Sequence, residues 1–143
     1  MYTMMQVCRE LDMTYQTLKF YCNEGLVPNV KRDHNNRRVF DEKDVKWIKD
    51  LTCLKKRGMS IQEMKKYLEL CLQGEATIVS RKKMLARKQE ELRASIKELE
   101  DSISYIGWKQ NFYDEVLSGK RPYVSNLIRT AEKKPLANKL FRD

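Results

Sequence analysis

A seven-residue spacing of apolar side chains in the second half of the chain restricts the fold more than any other feature of the sequence. Two alternating series make up this seam, whose positions are Leu85, Gln89, Leu92, Ile96, Leu99, Ile103, Ile106, Gln110, Tyr113 and Leu117. The residues between them are mainly Lys, Arg, Glu and Ser. This heptad repeat predicts one long helix over roughly residues 79–117. Because a single helix cannot bury its own apolar stripe, we expect a second copy of the chain to cover it in a coiled coil.

The beginning of the chain predicts two short helices joined by a tight turn. Apolar residues at helical spacing indicate a first helix over residues 4–11. Thr14 is suited to cap a second helix over residues 15–23, and Gly25 is suited to end it because glycine adopts the left-handed backbone of a C-cap. Two helices so arranged form a helix-turn-helix, which commonly places one helix in the major groove of DNA.

A short basic segment, residues 30–40, follows these helices. Residues 30–32 and 38–40 are strand candidates, and the residues between them favour a turn. We therefore predict a small β-hairpin, the wing, in which several cations face a single acid, Asp33. These cations are Lys31, Arg32, Arg37 and Arg38. A basic hairpin beside a helix-turn-helix is well placed to hold phosphates or to enter a minor groove.

Two further helices and a C-terminal segment complete the predicted architecture. Acidic residues within 41–44 suit the start of a third helix that ends at Gly58, and Ser60 with Glu63 has the spacing of a capping box that starts a fourth. We expect a mainly α fold in three parts, which are a winged helix-turn-helix head (residues 1–74), a dimerisation helix (residues 75–119) and a C-terminal segment (residues 120–143). The sequence leaves open whether the last segment packs on the dimer, covers a ligand pocket or is mobile.

The balance of charge narrows the choice of partner. The chain carries 29 Lys and Arg residues against 20 Asp and Glu, for a formal net charge of +9 and an isoelectric point of about 9.4. Such an excess attracts polyanions, of which nucleic acid is the commonest for a soluble protein. A membrane surface is the rival polyanion, and basicity alone does not separate the two. No apolar run suits a transmembrane helix and the N-terminus does not resemble a secretory signal, so we expect a cytoplasmic protein without a membrane partner.

Residues with catalytic or metal-binding chemistry are sparse and scattered. The cysteines, Cys8, Cys22, Cys53 and Cys71, form no C-x-x-C pair, and His34 is the only histidine. These spacings supply neither a disulfide framework nor a metal site, so we expect free thiols and no cofactor. The chain also lacks a glycine-rich phosphate loop and a nucleophile motif, so nothing in it predicts an enzyme.

Three ordered motifs resemble the MerR family of transcriptional regulators. Residues 17–28, TLKFYCNEGLVP, are similar to the family signature T-L-R-Y-Y-x-x-x-G-L-x-P. Residues 38–45 resemble the wing exit R-x-Y-x-x-x-D-(V/L), and residues 58–63 resemble the step G-(F/M)-S-(L/I)-x-E. The likeness covers roughly residues 2–73 in the family's order and spacing. The long helix then follows where the family keeps its dimerisation helix.

The resemblance implies a homodimer, paired through an antiparallel coiled coil, that reads the two halves of a palindromic promoter. Family members bind between promoter elements whose spacer is too long, and the activated form bends and untwists the DNA so that RNA polymerase engages both elements. Because untwisting changes DNA shape, it should depend on phosphate contacts more than on base contacts. An architectural or excisionase-like protein that bends DNA without sensing is the alternative. The coiled coil and the C-terminal segment favour the regulator.

The predicted DNA contacts lie on the second helix, in the wing and at the end of the third helix. They are Thr14, Tyr15, Gln16, Lys19, Tyr21, Lys31, Arg37, Arg38 and Lys56. Lys19 and Phe20 replace the family's usual Arg and Tyr, which keeps the charge but loses the two-pronged geometry of arginine and one hydroxyl. Tyr21 also suits the core, either alone or with its hydroxyl reaching a phosphate. Lys56 equally suits a solvated helix end. The predicted dimer contacts are Leu85, Leu92, Ile96, Leu99, Ile103, Ile106, Tyr113 and Leu117.

Within the family, the chain resembles the short regulators that respond to aldehydes or electrophiles through a thiol. Metal-sensing members carry cysteines around the long helix, and here no cysteine follows Cys71. Multidrug sensors add a larger C-terminal domain than the residues after Gly119 supply. Cys53 matches the thiol position of the short subgroup, and cations one turn away on each side favour the reactive thiolate. The inert alternative is a small, partly buried residue, which free cysteines usually are.

A small organic effector is the competing activation scheme. Its binding site would lie between the long helix, the C-terminal segment and the head, with an aromatic lining of Tyr67, Tyr105, Trp108, Phe112, Tyr113 and Tyr123. Aromatic residues at helical spacing also suit a plain core, so the pattern does not separate a pocket from packing.

Overall fold

The computed structural model describes residues 1–129, which form a mainly helical fold with a small antiparallel sheet. The elements are β1 (Tyr2–Thr3), α1 (Met4–Leu11), α2 (Tyr15–Asn23), β2 (Lys31–Arg32), β3 (Arg38–Phe40), α3 (Glu42–Lys56), α4 (Ile61–Leu72) and α5 (Ile78–Leu117). A short 3₁₀ turn, Glu75–Thr77, precedes α5. The chain forms two units, an N-terminal unit of residues 1–90 and a C-terminal unit from residue 91 onward. The predicted fold class, with its long final helix, is confirmed.

Side-chain caps explain where the helices of the N-terminal unit begin. The Thr14 hydroxyl accepts a hydrogen bond from the Thr17 amide at the start of α2. Ser60 and Glu63 form the predicted capping box at the start of α4, because each side chain accepts from the backbone amide of the other. These caps satisfy backbone groups that have no partner within the first turn of a helix. The helix starts predicted at both positions are therefore confirmed.

The sheet contains one strand more than the sequence indicated. β1 and β2 pair antiparallel with opposite edges of β3, which gives the order β1-β3-β2. The prediction of a two-stranded wing was therefore incomplete. Tyr2 and Thr3 form too short a segment to display the alternation of a strand, and they pair with residues far along the chain. β1 attaches the beginning of the chain to the base of the wing.

The core of the N-terminal unit receives side chains from α1 to α4 and from β3. Its most deeply buried members include Val7, Leu18, Leu26, Phe40, Ile48, Leu51, Met59 and Met64. Trp47 packs against this core, stacks on Tyr67 with the ring planes 4° apart, and donates its indole N–H to the Leu26 carbonyl at 2.7 Å. The core thus joins α2 to β3, the two elements that carry most of the predicted DNA contacts.

The first turns of α5 belong to the N-terminal unit. Met84 packs against its core, and Lys88 Nζ donates to Glu63 Oε1 at 3.1 Å and to the Gly58 carbonyl at 3.3 Å. The Arg81 guanidinium donates to the Thr77 hydroxyl at 3.0 Å. The Lys88 bonds attach the start of the long helix to α4 and to the turn between α3 and α4, whereas the Arg81 bond joins α5 to the short 3₁₀ turn before it.

The seam of α5 is exposed to solvent. No residue of Ile78–Leu117 is buried, and the apolar seam side chains range from 38% exposed at Leu85 to 85% exposed at Leu117. Neighbouring aromatic rings also contact one another along this helix; they are Tyr105, Trp108, Phe112 and Tyr113. The Arg121 guanidinium lies 5.2 Å from the centre of the Phe112 ring. Gly119, with a φ of +85°, follows the end of the helix, as predicted.

The C-terminal segment continues from α5 as turns and irregular structure up to residue 129. The remainder of the predicted segment, from residue 130, lies outside the described residues. None of the helices within residues 1–129 has both the length and the apolar character that crossing a bilayer requires.

Candidate nucleic-acid interface

One face of α2 is open to solvent and carries side chains predicted to reach DNA. Tyr15, Gln16 and Lys19 are all exposed on it. Thr14, which caps the helix, is exposed at its start. Phe20 lies beside them with 46% of its surface exposed, and it was not among the predicted contacts. A large apolar ring on an otherwise polar helix face was the signal that could have identified it.

Tyr21 belongs to the core instead of this face. Only 3% of the residue is exposed, and burial raises the pKa of its phenol. The physical reason is helical spacing, since Tyr21 lies three residues after the buried Leu18 and therefore on the same side of α2. The structure therefore places Tyr21 in the core, as one of the alternatives predicted, and its contact with DNA stays a prediction.

The tip of the wing is built around Asp33. Its carboxylate accepts hydrogen bonds from the backbone amides of Asn35 at 2.9 Å and Arg37 at 3.0 Å. The bond from the Arg37 amide is the main cause that lowers the pKa of Asp33. Asn36 adopts a left-handed φ of +60°, which asparagine tolerates better than most residues. Asp33 thus shapes the turn that presents the exposed Arg37 side chain.

Arg38 joins the wing to α2. Its Nη2 donates to Asn23 Oδ1, at the last residue of the helix, over 2.7 Å. Arg32 makes a bond within the wing, from Nη1 to the Asn36 carbonyl at 2.9 Å. A guanidinium has five N–H donors, so one bond to Asn23 is compatible with a phosphate contact by Arg38. The wing and α2 are therefore adjacent parts of one surface.

Lys31, a predicted DNA contact, is engaged within the protein. Its Nζ donates to the Asn29 carbonyl at 2.9 Å, to Asp41 Oδ2 at 2.9 Å and to Asp44 Oδ2 at 3.1 Å. An ammonium has three donors, and these three acceptors use all of them. The hydrogen bond from Lys31 is also the main cause that lowers the pKa of Asp41 to about 2. A phosphate contact by Lys31 would therefore have to displace one of these acceptors.

The end of α3 carries Cys53, Lys55, Lys56 and Arg57, all of them exposed. The Arg57 guanidinium lies close to Cys53, because its Nη1 donates to the Cys53 carbonyl at 3.4 Å. Among the cysteines, Cys8 is buried and the other two are half-buried, so Cys53 is the most accessible thiol. Within the described residues, no cluster of three His, Cys, Asp or Glu side chains could hold a metal ion.

The two units differ in charge. Residues 1–90 carry 19 Lys and Arg residues against 12 Asp and Glu, whereas residues 91–129 carry 6 of each sign. The positive charge of the described chain is therefore concentrated in the unit that contains α2 and the wing. A basic surface with an exposed helix is the electrostatic pattern expected of a protein that binds nucleic acid.

Comparison with known proteins identifies the family. The family model described as MerR HTH family regulatory protein matches residues 2–71. An uncharacterised HTH-type transcriptional regulator of Haemophilus influenzae is 33% identical over 114 residues, which cover 80% of this chain and 84% of that protein. This chain belongs to the MerR family. The HTH-type transcriptional regulator AdhR of Bacillus subtilis is 37% identical over 87 residues, or 61% of this chain and 62% of AdhR.

A solved structure of the family supports the same assignment. The crystal structure of HiNmlR, a MerR family regulator lacking the sensor domain and bound to promoter DNA, aligns with a TM-score of 0.63 and 32% identity. The alignment covers 82% of this chain and 93% of that one. The MerR protein is thus a DNA-binding transcriptional regulator, and the prediction that it is not an enzyme is confirmed by its relatives.

Proposed function

We propose that this MerR protein binds promoter DNA as a homodimer and controls transcription by changing the shape of the DNA. The observation that carries the proposal is the single basic surface formed by the exposed face of α2 and the adjacent wing. A relative with 32% identity is bound to promoter DNA, which supports the same use of this surface.

Each part of the surface has a proposed role. Tyr15, Gln16 and Lys19 contact base edges and phosphates in the major groove, and the Thr14 cap orients the start of their helix. Arg37 and Arg38 hold phosphates beside it, where a positive charge replaces condensed counterions. Lys56, exposed at the end of α3, provides a second phosphate contact.

The exposed seam supports pairing with a second copy. Full burial of a Leu or Ile side chain contributes about 1.5–3 kcal/mol. Several such side chains therefore gain much more from a partner helix than from water. We propose contacts at Leu85, Leu92, Ile96, Leu99, Ile103, Ile106, Tyr113 and Leu117, in the antiparallel pairing typical of the family. A twofold dimer presents two identical reading heads, so its DNA site is palindromic, and RNA polymerase responds to the altered DNA.

The proposed division of labour follows the three predicted segments. Residues 1–74 form the DNA-binding head, residues 75–119 form the dimerisation helix, and residues 120–143 form an effector segment. The first two segments follow from the surfaces described above. The third follows from the exposed Tyr123 and Val124 beyond the helix, which give an effector an apolar surface to contact.

Footprinting combined with transcription in vitro tests the proposal. We expect symmetric protection centred between the two promoter elements, together with a change in transcript level when the protein is added. Bending of the same fragment without any change in transcription would support the architectural alternative and would contradict regulation.

For the effector, we propose that an aldehyde or another electrophile modifies Cys53. The thiol is exposed at the end of α3, next to the cations proposed to hold DNA, so an adduct there would alter that end of the interface. Intact mass spectrometry after brief exposure to N-ethylmaleimide or an aldehyde should show a first adduct that Cys53→Ser abolishes and Cys8→Ser leaves unchanged. Induction that survives Cys53→Ser would favour the small organic ligand instead.

A further inference from the structure

The outer strand of the wing has little backbone pairing to hold it. β2 contains two residues, and its partners on β3 are Val39 for Lys31 and Arg38 for Arg32. A strand pair of this length is marginal in water without other contacts. β1 pairs only with the opposite edge of β3, so it does not support β2 directly. The position of the wing therefore depends on side-chain contacts as well as on the sheet.

Lys31 supplies such contacts between β2 and the start of α3. Its ammonium bridges Asp41, which caps the helix, and Asp44, whose side chain is only 5% exposed. Asp44 Oδ2 also accepts the Asp41 amide at 3.0 Å. A buried carboxylate that loses its cation is left with an uncompensated charge, so this arrangement strongly favours one position of Lys31. β2 is thereby attached to a helix whose start is fixed by its own capping box.

The charge of this cluster argues against direct contact with DNA. Lys31, Asp41 and Asp44 together carry a net charge of −1, and every donor of the ammonium is used within the protein. A phosphate would have to displace carboxylates that already accept hydrogen bonds from the lysine. The cluster lies beside the arginines of the wing, because Lys31 is opposite Val39 and Arg38 is the preceding residue of that strand.

We propose that Lys31 is a positioning residue that fastens the wing to the start of α3, so that Arg37 and Arg38 are held in reach of the DNA backbone. Lys31 acts through these arginines and touches no phosphate itself. The inference depends on the proposed DNA interface, and it adds to that interface the residue that sets its geometry.

A double-mutant cycle tests whether Lys31 acts through the arginines of the wing. The probe is the duplex operator selected with the wild-type protein from a random-sequence library. We expect Lys31→Met to weaken binding about tenfold in the wild-type background, and by less than about twofold when Arg37→Ala and Arg38→Ala are already present. A lysine with its own phosphate contact, or one that merely stabilises the fold, would lose the same factor in both backgrounds. That additive result would overturn the inference.

Asp41→Asn provides a second test, because a positioning role and a phosphate-contact role of Lys31 predict opposite changes in operator affinity. Asparagine caps helices about as well as aspartate, so its oxygen in the Oδ1 position retains the start of α3. Its NH₂ group then takes the place of Oδ2 and cannot accept the hydrogen bond that Lys31 gives there. A positioning role predicts binding weakened several-fold. A contact role predicts tighter binding, because a repelling acid is removed and the lysine is released. Asp50→Asn, an exposed acid on the same helix, is the control for charge alone.

The reference variants separate failure of this inference from failure of the interface. If Lys19→Ala and the two arginine replacements weaken binding while Lys31→Met is fully additive, only the positioning role is wrong. If these reference variants all leave the affinity unchanged, the proposed interface is wrong and the positioning role is wrong with it. Thermal unfolding of each variant establishes that it is folded. If Lys31→Met does not fold, Asp41→Asn still tests the positioning role.

Discussion

The two units of this MerR protein obtain their stability in different ways. Residues 1–90 enclose a core with fully buried side chains such as Leu18, Ile48 and Leu51, and their helices begin at capped positions. The described part of the C-terminal unit, residues 91–129, consists mainly of the rest of α5, a helix without any buried residue. Isolated helices gain most of their stability from packing of an apolar face. The first unit can therefore fold from its own contacts, whereas the long helix would gain such contacts only through the proposed pairing with a second copy.

Charge follows the same division. Of the formal net charge of +9, residues 1–90 carry +7, while residues 91–129 carry equal numbers of acids and bases. A positive surface attracts a polyanion but also repels a second copy of itself. A neutral helix does not add to that repulsion. The separation of the two charge patterns is therefore suited to a protein that binds DNA with one unit and pairs with the other.

The strongest test of this comparison places charges in the seam. Leu99→Asp together with Ile103→Asp should convert the proposed dimer to monomers, with affinity between copies weakened by about a thousandfold or more, because apolar burial is replaced by buried charge. Sedimentation equilibrium measures the change. Ala94→Asp, on the side of the helix away from the seam, should leave the dimer intact. A dimer that survives both seam charges would contradict the assigned contacts.

Truncation of matched apolar side chains sharpens the contrast. Leu51→Ala removes a fully buried side chain from the core and should lower the free energy of unfolding by about 2–5 kcal/mol at every protein concentration. Ile103→Ala removes a side chain that is 71% exposed in one chain, so its effect should act on association and change with concentration. Urea unfolding at several concentrations measures both. If both variants lost the same free energy of unfolding at every protein concentration, the two regions would be stabilised in the same way.

Removal of one cation from each unit tests where DNA binds. Arg37→Ala should weaken operator binding about tenfold and reduce the slope of log affinity against log salt by about one, because one phosphate contact is lost. Lys97→Ala removes a highly exposed cation from the C-terminal unit and should change neither quantity. Fluorescence anisotropy over a series of salt concentrations supplies the slopes. A reduced slope for Lys97→Ala would place DNA contacts on the long helix as well.

The smallest expected effect is on the stability of the protein at low pH. The pKa of Asp41 is about 2 in the folded protein and 3.8 as its ordinary value, mainly because Lys31 donates a hydrogen bond to the carboxylate. A lowered folded pKa stabilises the protein above pH 3.8, and this contribution is lost as the pH falls from about 4 to 2. The melting temperature of Asp41→Asn should therefore fall less steeply over that range than that of the wild type. If the melting temperatures of the two proteins fell in parallel over that pH range, the stabilising contribution of the Asp41 carboxylate would be excluded.

Local signals account for what the sequence predicted well. Thr14, Ser60 and Gly119 act within a few residues of their own positions, and each marks a helix boundary as expected. The heptad repeat is equally local, since every seam position lies on one continuous helix.

Longer-range contacts account for what the sequence did not show. Lys31 finds Asp41 and Asp44 only after the hairpin has formed, ten and thirteen residues along the chain. β1 pairs with β3 across the whole helix-turn-helix. Tyr21 is a related case, because its burial depends on which side of the short helix α2 packs against the core. Composition identifies such a residue as basic or aromatic without indicating which neighbour it contacts.

The two tryptophans of the chain fall one in each unit. Trp47 is stacked on Tyr67 and hydrogen-bonded to the Leu26 carbonyl, whereas Trp108 is 46% exposed on the long helix. Indole emission depends on the polarity and rigidity of its surroundings, so the two rings act as separate fluorescent reporters. With Trp108→Phe the emission follows the head alone, and with Trp47→Phe it follows the long helix. Titration with urea would then show directly whether the proposed helix pair separates before the core opens or together with it.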